Sequence, residues 1–194
     1  METAGTTEPE LARLIFHELA HQVAYASGDT VFNESFAVAV EREGLRRWLS
    51  QNGTQAQREA WAASQTRRAR FIARVLECRD RLARLYAGPG TADERREGKK
   101  KLFDAMFADY ERIKREEWGG FAGYDRFLAQ GANNALLASI SAYNELVPAF
   151  EELLAQKRGD LAAFYEEVKA LADAPREQRN ARLRAGNKSP AGTE

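Results

Sequence analysis

A chain of 194 residues suits one domain, or one with a small appendage. Lysine plus arginine equals aspartate plus glutamate at 29 each, so no net field argues for nucleic acid or an anionic membrane as a partner. The single cysteine, Cys78, excludes an intrachain disulfide and a thiolate metal cluster, and no apolar run is long enough for a membrane span.

In chain order, residues 1–7 read as a disordered lead, and the start of the chain lacks the basic end and apolar core of a secretion signal. As written the chain reads as soluble, with its compartment open. Glu8-Pro9-Glu10 opens a helix, because proline is tolerated in the first turn and acids suit its dipole. This helix should run over residues 8–26 and stop at Gly28, which can take the left-handed conformation of a helix end. A second helix is expected from Asn33, a good cap type, through Phe36, Val40, Leu45 and Trp48 to Ser50.

Residues 55–86 carry Trp61, Phe71, Val75, Leu82 and Leu85 as an apolar stripe, and Gly88-Pro89-Gly90 breaks the pattern. Residues 91–117 return with Leu102, Met106, Tyr110 and Ile113, which predicts an antiparallel helical hairpin over 55–117. Its arginine pairs, Arg67-Arg68 and Arg95-Arg96, read as a solvated face, and Cys78 as a small buried side chain. The stretch from Trp118 to Phe127 sets three glycines among aromatic residues, so it either plugs the core or walls a cleft. Asn133-Asn134 starts a helix through Leu137, Ile140, Tyr143 and Val147, kinked by Pro148. A last amphipathic helix covers residues 160–171, and residues 173–194 read as a frayed tail. No stretch shows strand alternation. The expectation is an all-α fold, one helical domain over residues 8–172 between disordered tails at 1–7 and 173–194.

The chemistry concentrates in the first helix. The chain's two histidines stand in His17-Glu18-Leu19-Ala20-His21, and residues four apart share one helix face. Two neutral imidazoles can therefore hold one metal ion while Glu18 reaches a water beside it, the arrangement of zinc hydrolases. Such a site takes three protein ligands and leaves one position open. With no further histidine, the third ligand is a carboxylate, and Glu34 at the start of the second helix is favoured. Asp29 is the rival, though it reads more simply as a turn residue. Metal-assisted hydrolysis of a peptide bond is the reaction this set implies.

His17-Glu18-Leu19-Ala20-His21 followed by Asn33-Glu34-Ser35-Phe36-Ala37 resembles the gluzincin metallopeptidases, whose third ligand is a glutamate on the next helix. More closely, the chain resembles a bacterial zinc aminopeptidase family. The matching blocks run from His17 to Gln22, Gly28 to Thr30, Phe32 to Ala37, Glu41-x-x-Gly44, Tyr124 to Phe127, Asn133 to Ala135 and Tyr143 to Phe150. The resemblance covers most of residues 11–171 and implies zinc as cofactor and a peptide as substrate. Typical members carry a further region ahead of the zinc helix, often with a lipoprotein-type export signal, and in gluzincins the strand before that helix commonly lines the substrate cleft. This chain is expected to match their C-terminal part without that strand region, as a fragment, a truncated product or a partner-dependent piece. Relatives are often exported to the periplasm or membrane-anchored.

Within that picture Glu18 is the general base, and Tyr143, in preference to Tyr124, donates to the developing oxyanion. Asn33 caps the second helix or orients a histidine, with capping preferred. Glu41 reads as a surface acid, or alternatively as the holder of a ligating imidazole. An aminopeptidase needs a carboxylate for the free α-amine, and Glu145, Asp125 and Glu41 are the candidates. The competing expectation is a non-catalytic helical interaction module built on the 55–117 hairpin, its zinc site structural or vestigial. Oligomeric state is left open.

Overall fold

The computed structural model describes residues 7–129 and 133–186. Among them the regular elements are all α-helices, as expected. They are α1 (Glu8–Val23), α2 (Thr30–Asn52), α3 (Gln55–Ala87), α4 (Ala92–Glu116), α5 (Asp125–Ala129), α6 (Asn134–Asn144), α7 (Val147–Gln156), α8 (Leu161–Asp173) and α9 (Arg176–Gly186). None of these helices is long and apolar enough to cross a membrane. The chain forms two compact units: one contains α1, α2, α7, α8 and α9, the other spans Glu59–Ser141.

The first unit is set by how α1 and α2 begin and end. At the start of α1 the Glu10 carboxylate accepts both the backbone N–H and the hydroxyl of Thr7, each at 2.9 Å. Residues 1–6 of the expected lead lie outside the described residues. The helix stops at Val23, before the expected residue 26, because Asn33 captures the backbone of Ala26. Its amide oxygen accepts the Ala26 N–H at 2.8 Å, and its NH2 donates to the Ala26 carbonyl at 2.9 Å. Gly28 makes the turn at φ +74°, as expected. Asp29, not Asn33, then caps α2 by accepting the Phe32 N–H at 3.1 Å, so α2 begins at Thr30.

From residue 32 to residue 41 every side chain of α2 is buried except Glu34, which is half-buried. Phe32, Phe36, Phe150 and Phe164 form the centre of this core, with ring centroids 5.2–5.9 Å apart along the chain of contacts. Each such ring contributes roughly 1.5–3 kcal/mol by leaving water. Ser35 ties in the next turn: its hydroxyl donates to the Ala142 carbonyl at 3.3 Å and accepts the Leu146 N–H at 3.2 Å. That turn separates α6 from α7, so Pro148 sits in the first turn of a new helix rather than kinking one long one. Asp160 caps α8 by accepting the N–H groups of Ala162 and Ala163.

Of the expected C-terminal tail, residues 176–186 form α9, and residues 187–194 lie outside the described residues. Two anchors hold α9: Leu183 enters the apolar core, and Arg179 reaches Asp29, Nη2 to Oδ2, at 3.2 Å. A polar composition hides both.

In the second unit α3 and α4 run antiparallel. Arg70 pairs with Glu117 at 2.8 Å, Arg74 with Asp109 at 3.8 Å, the Cys78 thiol faces the Leu102 carbonyl, and Leu85 lies against Gly98. Phe71, Val75, Cys78 and Leu82 of α3 meet Phe103, Met106 and Tyr110 of α4. The aromatic stretch after α4 plugs this core. Tyr124 stacks on Phe71 with centroids 4.1 Å apart, and Trp118 and Phe127 pack beside them. Asp125 fastens the plug, accepting from the Tyr110 hydroxyl and pairing with Lys114 at 2.6 Å.

Candidate metal centre

Packing α1 across α2 brings His17, His21 and Glu34 together in the first unit. Gly44 permits the close approach, since a Cβ there would fall 2.6 Å from the ring of Phe16, the residue before His17. One donor atom from each of His17, His21 and Glu34 lies within 4.8 Å of the others, the one such group of histidines, cysteines and acids among the described residues. Glu34 Oε2 is 3.5 Å from His17 Nε2, and Oε1 is 3.9 Å from His21 Nε2. The two rings sit edge to face with centroids 5.2 Å apart. Side-chain exposures of 14%, 22% and 18% leave the set reachable from solvent on one side.

The donor set fits zinc. Tetrahedral bonds of about 2.0–2.1 Å would place neighbouring ligand atoms about 3.3–3.4 Å apart, so donor atoms that lie within 4.8 Å of one another would draw together around an ion. Two nitrogens and one carboxylate also match the two-histidine, one-glutamate set of catalytic zinc sites.

His17 has a second partner. Its Nδ1 donates to Glu41 Oε2 at 3.1 Å, and Glu41 Oε1 accepts from Arg13 Nη1 at 3.0 Å. The bond to Glu41 above all pushes the His17 imidazole above its ordinary pKa; burial opposes this, and the charges of Glu41, Glu34 and Glu18 add to it. Glu41, read as a surface acid, is instead 2% exposed and takes the other role weighed for it. The signal for it was spacing: Glu41 stands two helical turns after Glu34, on the same face of α2. Arg13, one turn before His17, is the partner that sequence reasoning missed.

The remaining candidates fall as follows. Glu18 is exposed on α1 between the two histidines. Asp29 lies outside the convergent group, and its carboxylate caps α2 and pairs with Arg179. Asn33 neither caps α2 nor touches a histidine; it ties down Ala26. Tyr143 lies on the last turn of α6, 40% exposed, and no described contact carries its hydroxyl to the triad. Tyr124 and Asp125 are engaged in the core of the second unit. Glu145 is exposed on the turn after α6.

The model of a protein family described as "Putative aminopeptidase" matches residues 2–183. No curated protein and no solved structure matches the chain.

Proposed function

The chain belongs to the aminopeptidase family whose model it matches, and from that premise we propose that it is a zinc-dependent peptidase, aminopeptidase-like in action. The observation that carries the reading is the convergence of two imidazoles and one carboxylate from successive helices, with an exposed acid between the two histidines. His17, His21 and Glu34 would hold a zinc ion, which would supply Lewis acidity toward a water and a substrate carbonyl.

The protein's own groups do the proton work. Glu18 follows His17 directly and stays outside the ligand set. Its carboxylate oxygen accepts the proton of the attacking water and delivers it to the leaving amine nitrogen. Tyr143 offers an uncharged O–H to the carbonyl oxygen as negative charge develops there. For the free α-amine of a peptide the candidate carboxylates are Glu145, Asp125 and Glu41, of which Glu145 is exposed and next but one to Tyr143.

The test measures zinc and turnover together. The purified chain is assayed for bound zinc and for hydrolysis of aminoacyl arylamides, before and after chelation and zinc replacement. Glu18→Gln should keep zinc and lose about 10²–10⁴-fold in turnover. Glu34→Ala should lose zinc. Undiminished zinc in Glu34→Ala, or full turnover in Glu18→Gln, rejects the assignment. Stoichiometric zinc with no turnover in the unaltered chain favours the non-catalytic helical module.

A further inference from the structure

We propose that Arg13 and Glu41 form a positioning relay for His17, and that the two histidine ligands are therefore held unequally; the inference rests on the metal site of the reading above. The helix pair supplies support along the same rows as the ligands. On α1, Arg13 and His17 are one turn apart, and on α2, Glu34 and Glu41 are two turns apart. Across the interface Arg13 Nη1 meets Glu41 Oε1 at 3.0 Å, and Glu41 Oε2 meets His17 Nδ1 at 3.1 Å.

The direction of the hydrogen bonds decides the tautomer. A carboxylate paired with a guanidinium accepts on both oxygens, so the hydrogen in the Glu41–His17 contact belongs to Nδ1. The lone pair of a neutral His17 ring is then on Nε2, the nitrogen that faces Glu34 at 3.5 Å. Two acceptors so close call for a proton or a metal cation between them, and either is met by the same nitrogen. The relay thus presents Nε2 to a metal before any metal arrives, and it fixes the ring plane as well.

His21 has no such support. Its Nδ1 is buried and makes no hydrogen bond among the described residues. Packing against the His17 ring and Glu34 Oε1 at 3.9 Å from Nε2 are what orient that ring in the metal-free protein. One imidazole is set in advance, and the other settles when the ion binds.

A merely structural clamp between α1 and α2 would alter folding stability and leave intrinsic metal affinity alone. The readouts are therefore zinc Kd on the full chain, by competition with a chromophoric chelator, and the visible spectrum of the cobalt(II)-substituted protein. Thermal unfolding of the metal-free protein runs in parallel. Glu41→Ala should weaken zinc about 10–100-fold and change the cobalt spectrum. Glu41→Gln, which keeps shape and one acceptor, should recover part of that loss. Arg13→Met should weaken zinc less than Glu41→Ala, because Arg13 acts through Glu41. If Glu41→Ala fails to fold, Glu41→Gln decides: a Kd within about twofold of the unaltered protein and an unchanged cobalt spectrum overturn the relay. An unchanged Kd in a folded Glu41→Ala overturns it too, while the metal site stands. Absence of zinc binding in the unaltered protein overturns the metal site itself, and the relay with it.

Discussion

Replacing Arg179 by alanine tests whether α9 is structural or incidental. Arg179 and Asp29 are a buried pair, with side chains 5% and 3% exposed and Nη2 to Oδ2 at 3.2 Å. The guanidinium also donates to the Ala172 carbonyl at 3.0 Å and lies 4.9 Å over the ring of Phe32. Removing one member of a buried pair costs about 3–5 kcal/mol, because the other charge stays behind uncompensated. Arg176 Nε stands 3.7 Å from the same Asp29 oxygen, but its side chain is largely exposed, so it recovers only part. The expected loss is about 3 kcal/mol, the lower end of that range. In a chain of this size that is a fall of roughly 6–12 °C in Tm. Thermal and urea unfolding of the metal-free protein measure it. Asp29→Asn keeps the cap on α2 while removing the charge, so Asp29→Asn with Arg179→Ala should be less destabilised than the sum of the two by more than about 1 kcal/mol. Additivity within about 0.5 kcal/mol, or a loss below about 1 kcal/mol for Arg179→Ala alone, would refute the reasoning.

Gly44→Ala should cost about 1–3 kcal/mol by driving a methyl group into the Phe16 ring, and Phe16→Leu in the same chain should relieve much of it. Unfolding curves of the three variants check this, and an unperturbed Gly44→Ala would mean that α1 and α2 are not held at this spacing. Asn33→Ala leaves the N–H and carbonyl of buried Ala26 without the two bonds Asn33 makes, so a loss of about 1–3 kcal/mol is expected in the same measurement; an unchanged midpoint counts against it. The hydrogen bond from Lys114 first, then that from Tyr110, holds the Asp125 carboxyl below its ordinary pKa. A depressed folded value contributes stability that is present above the unfolded value and lost as pH falls through the folded one. Acid should therefore weaken the second unit, and Asp125→Asn should be less stable near neutrality yet lose less on acidification; equal acid sensitivity in both proteins would remove Asp125 from that role.

His17, His21 and Glu34 are legible in the sequence because helical spacing alone aligns the two histidines, and the turn at Gly28 returns the chain with a carboxylate near its start. The antiparallel hairpin is legible for the same reason, since its apolar stripe repeats over many turns on each side of a Gly-Pro-Gly break. Glu41 is not, because an acid within a helix reads as solvated until another helix is laid over it; its burial belongs to the α1–α2 packing. Asp29 and Asn33 are both good cap types four residues apart, and only the path of the turn at Ala26 decides between them. In α9 a single leucine and one buried arginine do the anchoring, and neither leaves a periodic signal. The role proposed for Tyr143 rests on spacing and the chemistry of a phenol; the residue stands exposed on the last turn of α6.

The weak periodicity of α2 has one physical origin with its role in the site. Successive residues on a helix point about 100° apart, so three in a row face three neighbours. Asn33 turns to the end of α1, Glu34 to the two histidines, and Ser35 to the turn between α6 and α7. Two turns on, Glu41 returns to His17, and Gly44 receives Phe16. A helix engaged on every side shows no clean apolar stripe. Its register is over-determined for the same reason, because a one-residue slip would break each of these contacts at once. The direction of the Glu34 carboxylate is thus a property of the whole of α2, and changes at Asn33, Ser35 or Gly44 should register in metal affinity though the contacts these residues make run to Ala26, Ala142, Leu146 and Phe16.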